Sequence, residues 1–360
     1  GMNPVDSSSC GATYDSIDVC NNTSTMPEDM NAYYLTTARC MTPIVYSVEP
    51  NVGTASDVFH VHGTGFSDVG CQNMVMFGDV MCDIITANAT LLTCEVSNNT
   101  LFVPGTPLEI DVKVNNLGDA IIEIEDVQKR HLFLLPSITS ISPEMGSVEG
   151  NTKLTISGSG FYESADDVSV TINGVPCGVT DVMPNEVQCV TGKGYAMANI
   201  SVSLSVRSGE QWLPAECYGA CEFSYDMAAT PTVLGVSLNT ITSIDSIIVI
   251  NGTGFSDVEN YISLGGTPCN VTSSASSEIS CTSGAPFVGE QPLEVIAVNK
   301  GKAAGQFMIQ VEPSSISITP QSGSTAGGQR LTISGFGFMD DVEVKINAKS
   351  CNVISSTVEE

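Results

Sequence analysis

Polar and apolar residues alternate along most of this 360-residue chain, in short runs separated by glycine, proline and asparagine. Residues 168–172 (VSVTI) show the pattern most clearly, and 152–156 (TKLTI) repeat it. A period of two predicts β-strands with one buried face. Between these runs, Gly158-Ser159-Gly160-Phe161 predicts a tight turn that places one aromatic ring inward, and Asn173-Gly174 predicts a two-residue hairpin.

The same unit occurs four times along the chain. A Gly-x-Gly-Phe turn recurs at intervals of 83 to 95 residues, and a cysteine follows each phenylalanine 13 to 16 residues later. In the first three copies a second cysteine comes twelve positions after the first. A repeated spacing of this kind indicates a tandem array of one structural module. We therefore predict that the turn residues are structural: Gly63, Gly65, Phe66, Gly158, Gly160, Phe161, Gly252, Gly254, Phe255, Gly335, Gly337 and Phe338.

The repeated unit resembles the IPT/TIG domain, an immunoglobulin-like β-sandwich. The family pattern P-x-I-x-x-I-x-P, two turn glycines, L-x-I and G-x-G-F is present from Pro136 to Phe161 and from Pro313 to Phe338. The copy that begins at Pro43 lacks the second turn glycine, and the copy from Pro231 lacks the second proline and both turn glycines. The cysteine spacing is most similar to the tandem arrays of fibrocystin-type cell-surface proteins.

The resemblance implies an all-β fold, with tandem immunoglobulin-like (IPT/TIG) β-sandwiches in an elongated array after a short Cys-bearing N-terminal segment. The joints between modules are short and contain proline, which leaves little slack and predicts a rod. The fourth copy stops before its expected second cysteine, so we expect a fragment of a longer protein. The expected division is a loop-rich segment or the end of a preceding module at 1–41, module one at 42–135, module two at 136–230, module three at 231–312, and part of module four at 313–360.

Charge excludes two classes of partner. The chain has 40 acidic and 12 basic residues, a formal charge of −28, yet only 14% of its residues are charged and 42% are apolar. This composition indicates a folded β-protein with an acidic surface, which repels phosphate backbones and anionic lipid. No run approaches the roughly 18 apolar residues of a membrane span, and residues 1–4 show no signal-peptide pattern. We predict no nucleic-acid partner and no membrane insertion by this segment.

Thirteen cysteines indicate an oxidising compartment. Zinc sites need closer cysteine spacing or cysteine–histidine clusters, so we predict disulfides for the three pairs that are twelve residues apart. Cys217 and Cys221 are expected to form a fourth bridge, although such a close pair can also bond outside its own loop. Cys351 is left over. The predicted pairs are Cys82–Cys94, Cys177–Cys189 and Cys269–Cys281, and the even set Cys10, Cys20, Cys40 and Cys71 allows three pairings.

N-linked glycans are the covalent additions that the sequence predicts. Seven Asn-x-Ser/Thr sequons are present, and sequons of secreted proteins lie in surface segments. Asn251 is disfavoured, because a glycan there would require an exposed Gly-x-Gly-Phe turn. The preferred acceptors are Asn21 or Asn22, Asn88, Asn98, Asn199 and Asn270.

A search for catalytic chemistry finds no G-x-S-x-G, P-loop, H-E-x-x-H or EF-hand motif, so we predict no enzyme and no cofactor. His60 and His62 share one face of a strand without a nearby third ligand, which favours ordinary strand residues. Trp212, the only tryptophan, either caps a sandwich edge or anchors a partner. An acid follows each Gly-x-Gly-Phe turn and indicates either a solvated turn or a weak calcium site between modules: Asp68, Asp167, Asp257 and Asp341.

These observations predict a non-enzymatic array that is extracellular or on the cell surface. It would act as a stiff, glycosylated spacer or as a filament-forming or adhesive segment of a large protein. Its expected partners are other copies of itself or other extracellular surface proteins. The alternative is the stalk of a plexin-like receptor ectodomain, which spaces a ligand-binding head from the membrane. A nuclear transcription factor with a TIG domain would need a basic surface and reduced thiols, which the charge and the cysteines oppose.

Overall fold

The computed structural model describes residues 42–97, 101–115, 117–126, 129–161, 164–338 and 343–355. These residues form β-strands and two short 3-10 turns, Gly70–Gln72 and Ala165–Asp167, which confirms the predicted all-β fold. Within this part of the chain, no helix is long and apolar enough to cross a membrane. Several predicted site residues lie outside the described ranges: Cys10, Cys20, Cys40, Asn21, Asn22, Asn98 and Asp341.

Module one has ten strands that alternate between buried and exposed positions, as the period of two predicts. Their hydrogen-bonded order is β2-β10-β7-β4-β5-β6-β3-β1-β9, and β8 pairs with β7. The strands are β1 (Ile44–Glu49), β2 (Val52–Thr54), β3 (Val58–Thr64), β4 (Asn73–Phe77), β5 (Val80–Asn88), β6 (Leu91–Val96), β7 (Pro107–Val114), β8 (Gly118–Asp119), β9 (Ile121–Ile122) and β10 (His131–Leu135).

Module two repeats this topology, with the order β12-β20-β17-β14-β15-β16-β13-β11-β19 and β18 paired with β17. Its first strand is covered on the outer side by β19, which pairs with it in parallel. The strands are β11 (Ser137–Ser142), β12 (Met145–Gly146), β13 (Lys153–Ser159), β14 (Val168–Ile172), β15 (Val175–Met183), β16 (Glu186–Thr191), β17 (Met197–Ser208), β18 (Gln211–Pro214), β19 (Glu216–Ala220) and β20 (Glu222–Tyr225).

Module three has nine strands in the order β21-β23-β26-β25-β24-β27-β29-β22, with β28 paired to β27. The described part of module four has two strand pairs, β30 with β31 and β32 with β33. The strands are β21 (Thr232–Val236), β22 (Thr240–Ile241), β23 (Ile247–Thr253), β24 (Asn260–Leu264), β25 (Thr267–Ser274), β26 (Glu278–Ser283), β27 (Gly289–Ala297), β28 (Gly301–Lys302), β29 (Phe307–Val311), β30 (Ser314–Thr319), β31 (Thr332–Phe336), β32 (Val344–Ile346) and β33 (Lys349–Cys351).

Each of the first three modules is a two-layered sandwich with its own apolar core. In module one, Phe59 of β3 and Phe77 of β4 meet edge to face across the layers, with ring centroids 5.4 Å apart. The opening segment crosses between layers in every one of these modules. In module two, for example, β11 pairs with β13, whereas β12 pairs with the last strand β20.

Module three makes the same crossing without the proline and glycines of the family pattern. Its first strand β21 pairs with β23, and β22 then pairs in parallel with β29. A hydrogen bond from the Ser237 backbone N–H to the Val249 carbonyl and another from Val249 N–H to the Ser237 hydroxyl, both 2.8 Å, fix the intervening chain. Ser237 therefore supplies, through its side chain, part of the constraint that proline supplies elsewhere.

Candidate functional site: turns, disulfides and joints between modules

The Gly-x-Gly-Phe turn needs its two glycines for different reasons, which module two illustrates. A methyl group on Gly158 would overlap both the Ser137 carbonyl oxygen and the ring of Phe161, so only glycine admits this close approach. Gly160 has φ +72°, in the left-handed region that glycine adopts at least cost. The ring of Phe161 is fully buried. The first glycine is thus needed because a side chain would clash with its neighbours, and the second because its backbone has a positive φ.

Each turn is also fastened to the hairpin between its module's paired cysteines. The N–H groups of Gly158 and Phe161 donate to the carbonyls of Asn185 and Pro184, over 3.0 and 3.1 Å. Modules one and three repeat this arrangement with the N–H groups of their first glycine and phenylalanine. The turn and the cysteine loop therefore form one unit, which explains why the two features recur together in the copies.

Four disulfides join the cysteines that the spacing pairs: Cys82–Cys94, Cys177–Cys189, Cys217–Cys221 and Cys269–Cys281. The three bridges of twelve-residue separation connect neighbouring strands, and their sulfur atoms lie within the cores. Each of these three disulfides closes a loop, and this closure stabilises the fold by about 3 kcal/mol. Cys71 is also disulfide-bonded, and Cys351 is a free cysteine of the described part.

The segment after each phenylalanine is held by serine and asparagine in modules one and three. In module three, Ser256 N–H donates to Asn260 Oδ1 over 3.0 Å, and Asn260 Nδ2 donates back to the Ser256 carbonyl over 2.6 Å. Ser67 and Asn73 make the same reciprocal pair in module one. In both modules the sequence Phe-Ser-Asp-Val is followed by an asparagine, four residues after the valine in module one and two residues after it in module three. This shared sequence is the signal for the reciprocal serine–asparagine hydrogen bonds.

The described acids of these turns, Asp68, Asp167 and Asp257, are not gathered into a cation site. Asp68 and Asp257 are exposed, and Asp167 forms an ion pair with Arg207, whose Nε lies 2.7 Å from Asp167 Oδ1. No three His, Cys, Asp or Glu side chains in the described ranges lie close enough together to hold a metal ion. His60 and His62 are exposed on β3, and the His60 ring lies 3.4 Å from the Thr93 hydroxyl.

The described sequon asparagines all lie on the surface: Asn88, Asn199, Asn251 and Asn270. Asn251 is exposed although it directly precedes the buried Gly252, so the objection that its turn would have to be exposed does not hold. Asn88 accepts three hydrogen bonds through Oδ1 from Thr90 and Leu91, which fixes its side chain at the hairpin end. Glycosylation of these exposed asparagines stays a prediction.

The joint between modules one and two is built around the ring of Phe102. Phe102 is 5% exposed, and a methyl group on Gly160 would lie 2.8 Å from its ring. The Tyr218 hydroxyl donates to the carboxylate of Asp57 over 2.9 Å. Partial burial, the Asp57 hydrogen bond and its negative charge raise the pKa of Tyr218, so the hydroxyl stays protonated as a donor. Trp212 is 48% exposed on β18. This exposure is intermediate between a ring that caps the sandwich edge and a ring that is free to anchor a partner.

The joint between modules two and three is polar. Ser147 N–H donates to the Lys300 carbonyl over 2.9 Å, and the Ser147 hydroxyl donates to the Lys302 carbonyl. The Thr152 hydroxyl donates to the Lys300 carbonyl over 3.0 Å, and Lys302 N–H donates to the Gly150 carbonyl over 2.8 Å. Four hydrogen bonds thus cross from the loop 147–152 to the turn 300–302.

Two further contacts stiffen this polar joint. Val148 N–H donates to the Thr230 hydroxyl of the linker over 3.0 Å, and that hydroxyl donates to the Asp226 carbonyl over 2.7 Å. Lys300 Nζ donates to the carbonyls of Gly254 and Phe255, both over 3.0 Å. The turn 300–302 is therefore held to the Gly-x-Gly-Phe turn of its own module.

The joint between modules three and four is apolar. Phe336, the second residue of the fourth Gly-x-Gly-Phe turn, is fully buried and belongs to the core cluster of module three. A methyl group on Gly337 would lie 2.9 Å from Val288 of module three. The joints before modules two and four thus involve the Gly-x-Gly-Phe turn of the following module, where Phe102 lies at Gly160 and Val288 lies at Gly337.

Repeated two-layered sandwiches with a crossing first strand and short, bonded joints define the class of tandem immunoglobulin-like β-proteins. The profile of the IPT/TIG domain matches residues 43–124, 136–225, 231–309 and 313–360, and the chain belongs to this family. The resemblance on which the sequence analysis relied is confirmed.

Three curated relatives each contain a region that is similar to this chain. Fibrocystin-L of Mus musculus is 29% identical over 338 residues, 93% of this chain, and fibrocystin of Canis lupus familiaris is 25% identical over 89% of it. Plexin-B2 of Mus musculus is 24% identical over 62% of this chain. The chain spans only 8% of the length of the two fibrocystin-type proteins and 12% of plexin-B2.

Among solved structures, the full extracellular region of plexin A4 is similar to this chain. The match is 15% identical, has a TM-score of 0.34, and covers 93% of this chain and 30% of that one. A second match, tandem Ig repeats of Dlar, is 8% identical with a TM-score of 0.27, and covers 49% of this chain and 98% of that one.

Proposed function

We propose that this chain is a non-enzymatic, stiff spacer within a large extracellular or cell-surface protein. The observation that carries the proposal is the joint between modules two and three, where four hydrogen bonds link the loop 147–152 to the turn 300–302. Domains joined by loose linkers move relative to one another, whereas bonded joints restrict that motion. A net charge of −28 adds repulsion that opposes folding back of the array.

An extracellular location is supported by the four disulfides, which form and persist in oxidising compartments. Fibrocystin-type and plexin relatives support a cell-surface protein. The exposed sequon asparagines, such as Asn88 and Asn270, are the proposed sites of its N-linked glycans. In such a setting the partners would be other copies of this chain or other extracellular surface proteins. Assembly into filaments or adhesion would use exposed sheet edges.

A receptor stalk is the second candidate, supported by the match to plexin-B2 over 62% of the chain. Both candidates require a stiff array, but they differ in what the surface does. A filament segment should associate with itself at rising protein concentration, whereas a stalk should remain monomeric. Sedimentation of the glycosylated chain over a range of concentrations separates the two.

Stiffness at the polar joint can be tested with Gly301→Ala. The added methyl group would lie 2.5 Å from both the Gly150 carbonyl oxygen and the Thr152 hydroxyl, across the joint. We expect modules two and three to stay folded while the distribution of angles between them broadens. Electron microscopy of single particles, together with small-angle X-ray scattering, measures that distribution.

Gly289→Ala is the matched control for Gly301→Ala. Gly289 has φ +106° and Gly301 has φ +102°, so both variants carry similar backbone strain within module three. A methyl group on Gly289 meets no atom within 4 Å. Equal angle distributions in the two variants would contradict the proposal that the bonded joint sets the stiffness.

Calcium would be a different source of stiffness, and we propose that the array does not depend on it. The exposed Asp68 and Asp257 and the paired Asp167 do not converge on a common point with two other ligands. We expect the same melting temperature in calcium and in chelator. A higher melting temperature in calcium would instead support cation bridges between modules.

A further inference from the structure

The outer face of module three carries a groove, lined by apolar side chains and by the carboxylates Glu259 and Glu294, that its own fold leaves uncovered. The groove has a volume of about 550 Å³ and is open to solvent between strands β24, β25 and β27. Tyr261 is 58% exposed there and Val271 is 38% exposed, and Asn270 and Ile296 line the same groove. Large exposed apolar side chains grouped on one face usually serve an interaction.

The strand register places a sequon asparagine directly beside the aromatic ring. Ile262 pairs with Cys269 at the end of the antiparallel ladder β24–β25, and the same register continued by one residue brings Tyr261 opposite Asn270, which lines the same groove. On the other side, Tyr261 pairs with Ile296 of β27. Residues opposite one another on neighbouring strands point to the same face and touch. Asn270, Tyr261 and Ile296 therefore form one row across the outer face.

The corresponding rows of modules one and two are different. In module one, Met74 lies between Asp83 and Lys113, so charged side chains flank the central residue. In module two the row consists of Gly178, Ser169 and Ser205, without a large side chain. Neither row contains a sequon. Among these three modules, only the row of module three contains both an aromatic residue and a glycan acceptor.

We propose that an N-linked glycan on Asn270 packs its first sugar across Tyr261 and Ile296 and covers this groove. N-acetylglucosamine presents a face of C–H groups and an acetyl methyl group, which suit an apolar aromatic surface. A hydrogen bond to the Glu259 carboxylate and the charge of that group raise the pKa of Tyr261, so the phenol remains neutral beneath the sugar. The inference rests on passage through the secretory pathway, as in the proposed function.

This arrangement gives the glycan a structural role. With the groove covered, module three would present a hydrated carbohydrate surface in place of Tyr261 and Val271. An uncovered groove would instead expose apolar side chains that favour non-specific association. The proposal therefore predicts that Asn270 differs in function from a sequon such as Asn88, whose opposite residue in the hairpin is Leu91.

The test uses the whole chain secreted from eukaryotic cells, with its glycans trimmed enzymatically to the first N-acetylglucosamine. Glycopeptide mass spectrometry should find Asn270 occupied. In the NMR spectrum, the ring current of Tyr261 should shift the acetyl methyl signal of the Asn270 sugar upfield of the Asn88 signal. Tyr261→Ser should abolish that shift and leave the Asn88 signal in place.

Two variants extend the test to the covering role. Asn270→Gln should increase the fluorescence of an apolar dye bound to the chain, whereas Asn270→Gln combined with Tyr261→Ser should return it toward the wild-type level. An acetyl signal that Tyr261→Ser leaves unmoved would overturn the inference, as would an unoccupied Asn270 beside an occupied Asn88. Absence of sugar from every sequon would overturn both this inference and the secretory location in the proposed function.

Discussion

Replacing Gly252 by alanine is expected to unfold module three while modules one and two stay folded. The added methyl group would overlap the Thr232 carbonyl oxygen and the ring of Phe255 at once. Phe255 is fully buried and the carbonyl belongs to a paired strand, so neither group can move aside at low cost. We expect a loss of about 3 kcal/mol or more, a large share of the stability of one module.

Gly235→Ala is the control in the same module. Gly235 lies on the neighbouring strand β21, pairs with Asn251, and has no atom within 4 Å of the position of an added methyl group. Its substitution should change stability by less than about 0.5 kcal/mol. Hydrogen exchange of the amides in β23 and β26 reports on module three alone. Equal protection of these amides in the two variants would contradict the assigned role of Gly252.

The fold of each module could be predicted because its signals are local and repeated. Alternation in stretches such as 168–172 marks the strands, and the Gly-x-Gly-Phe turn with its cysteines recurs at nearly constant spacing. Four copies of a weak pattern form a strong one. The disulfides could be predicted from the same spacing. Two cysteines that lie on neighbouring strands in one copy lie on the equivalent neighbouring strands in every copy that repeats their spacing.

The contacts across the joints could not be predicted, because their partners are far apart in the sequence. Ser147 and Lys302 are separated by 155 residues, and the bond between them uses a backbone carbonyl that has no sequence signature. Serine and threonine at Ser147 and Thr152 fit many surface loops equally well. Only the folded arrangement of both modules shows that these hydroxyls cross a joint.

The Gly-x-Gly-Phe turns, which the sequence predicts to be structural, also lie at two of the joints between modules. Phe102 of module one packs at Gly160 of module two, and Val288 of module three packs at Gly337 of module four. Because these glycines have no side chain, the surface at this end of the sandwich is shallow. A preceding module can approach that surface closely, so the glycines serve the joint as well as the turn.

Replacing Phe336 by threonine is expected to destabilise module three, although Phe336 belongs to the sequence of module four. The residue between the two turn glycines is Thr64, Ser159 or Thr253 in the other modules, so threonine is compatible with the turn. Phe336 is fully buried in the core cluster of module three. Removing most of its ring should therefore lower the free energy of unfolding of module three by about 3 kcal/mol.

The measurement is hydrogen exchange of β23 and β26, which contain the buried Ile248, Ile250 and Ile279 of module three. Ile346→Thr is the control, because Ile346 is 53% exposed on β32 of module four and its loss should change stability by less than about 0.5 kcal/mol. If Phe336→Thr lowered protection only within module four, the two modules would be energetically independent. Lower protection in β23 and β26 would show that stability passes across the apolar joint, because a ring from one module completes the core of another.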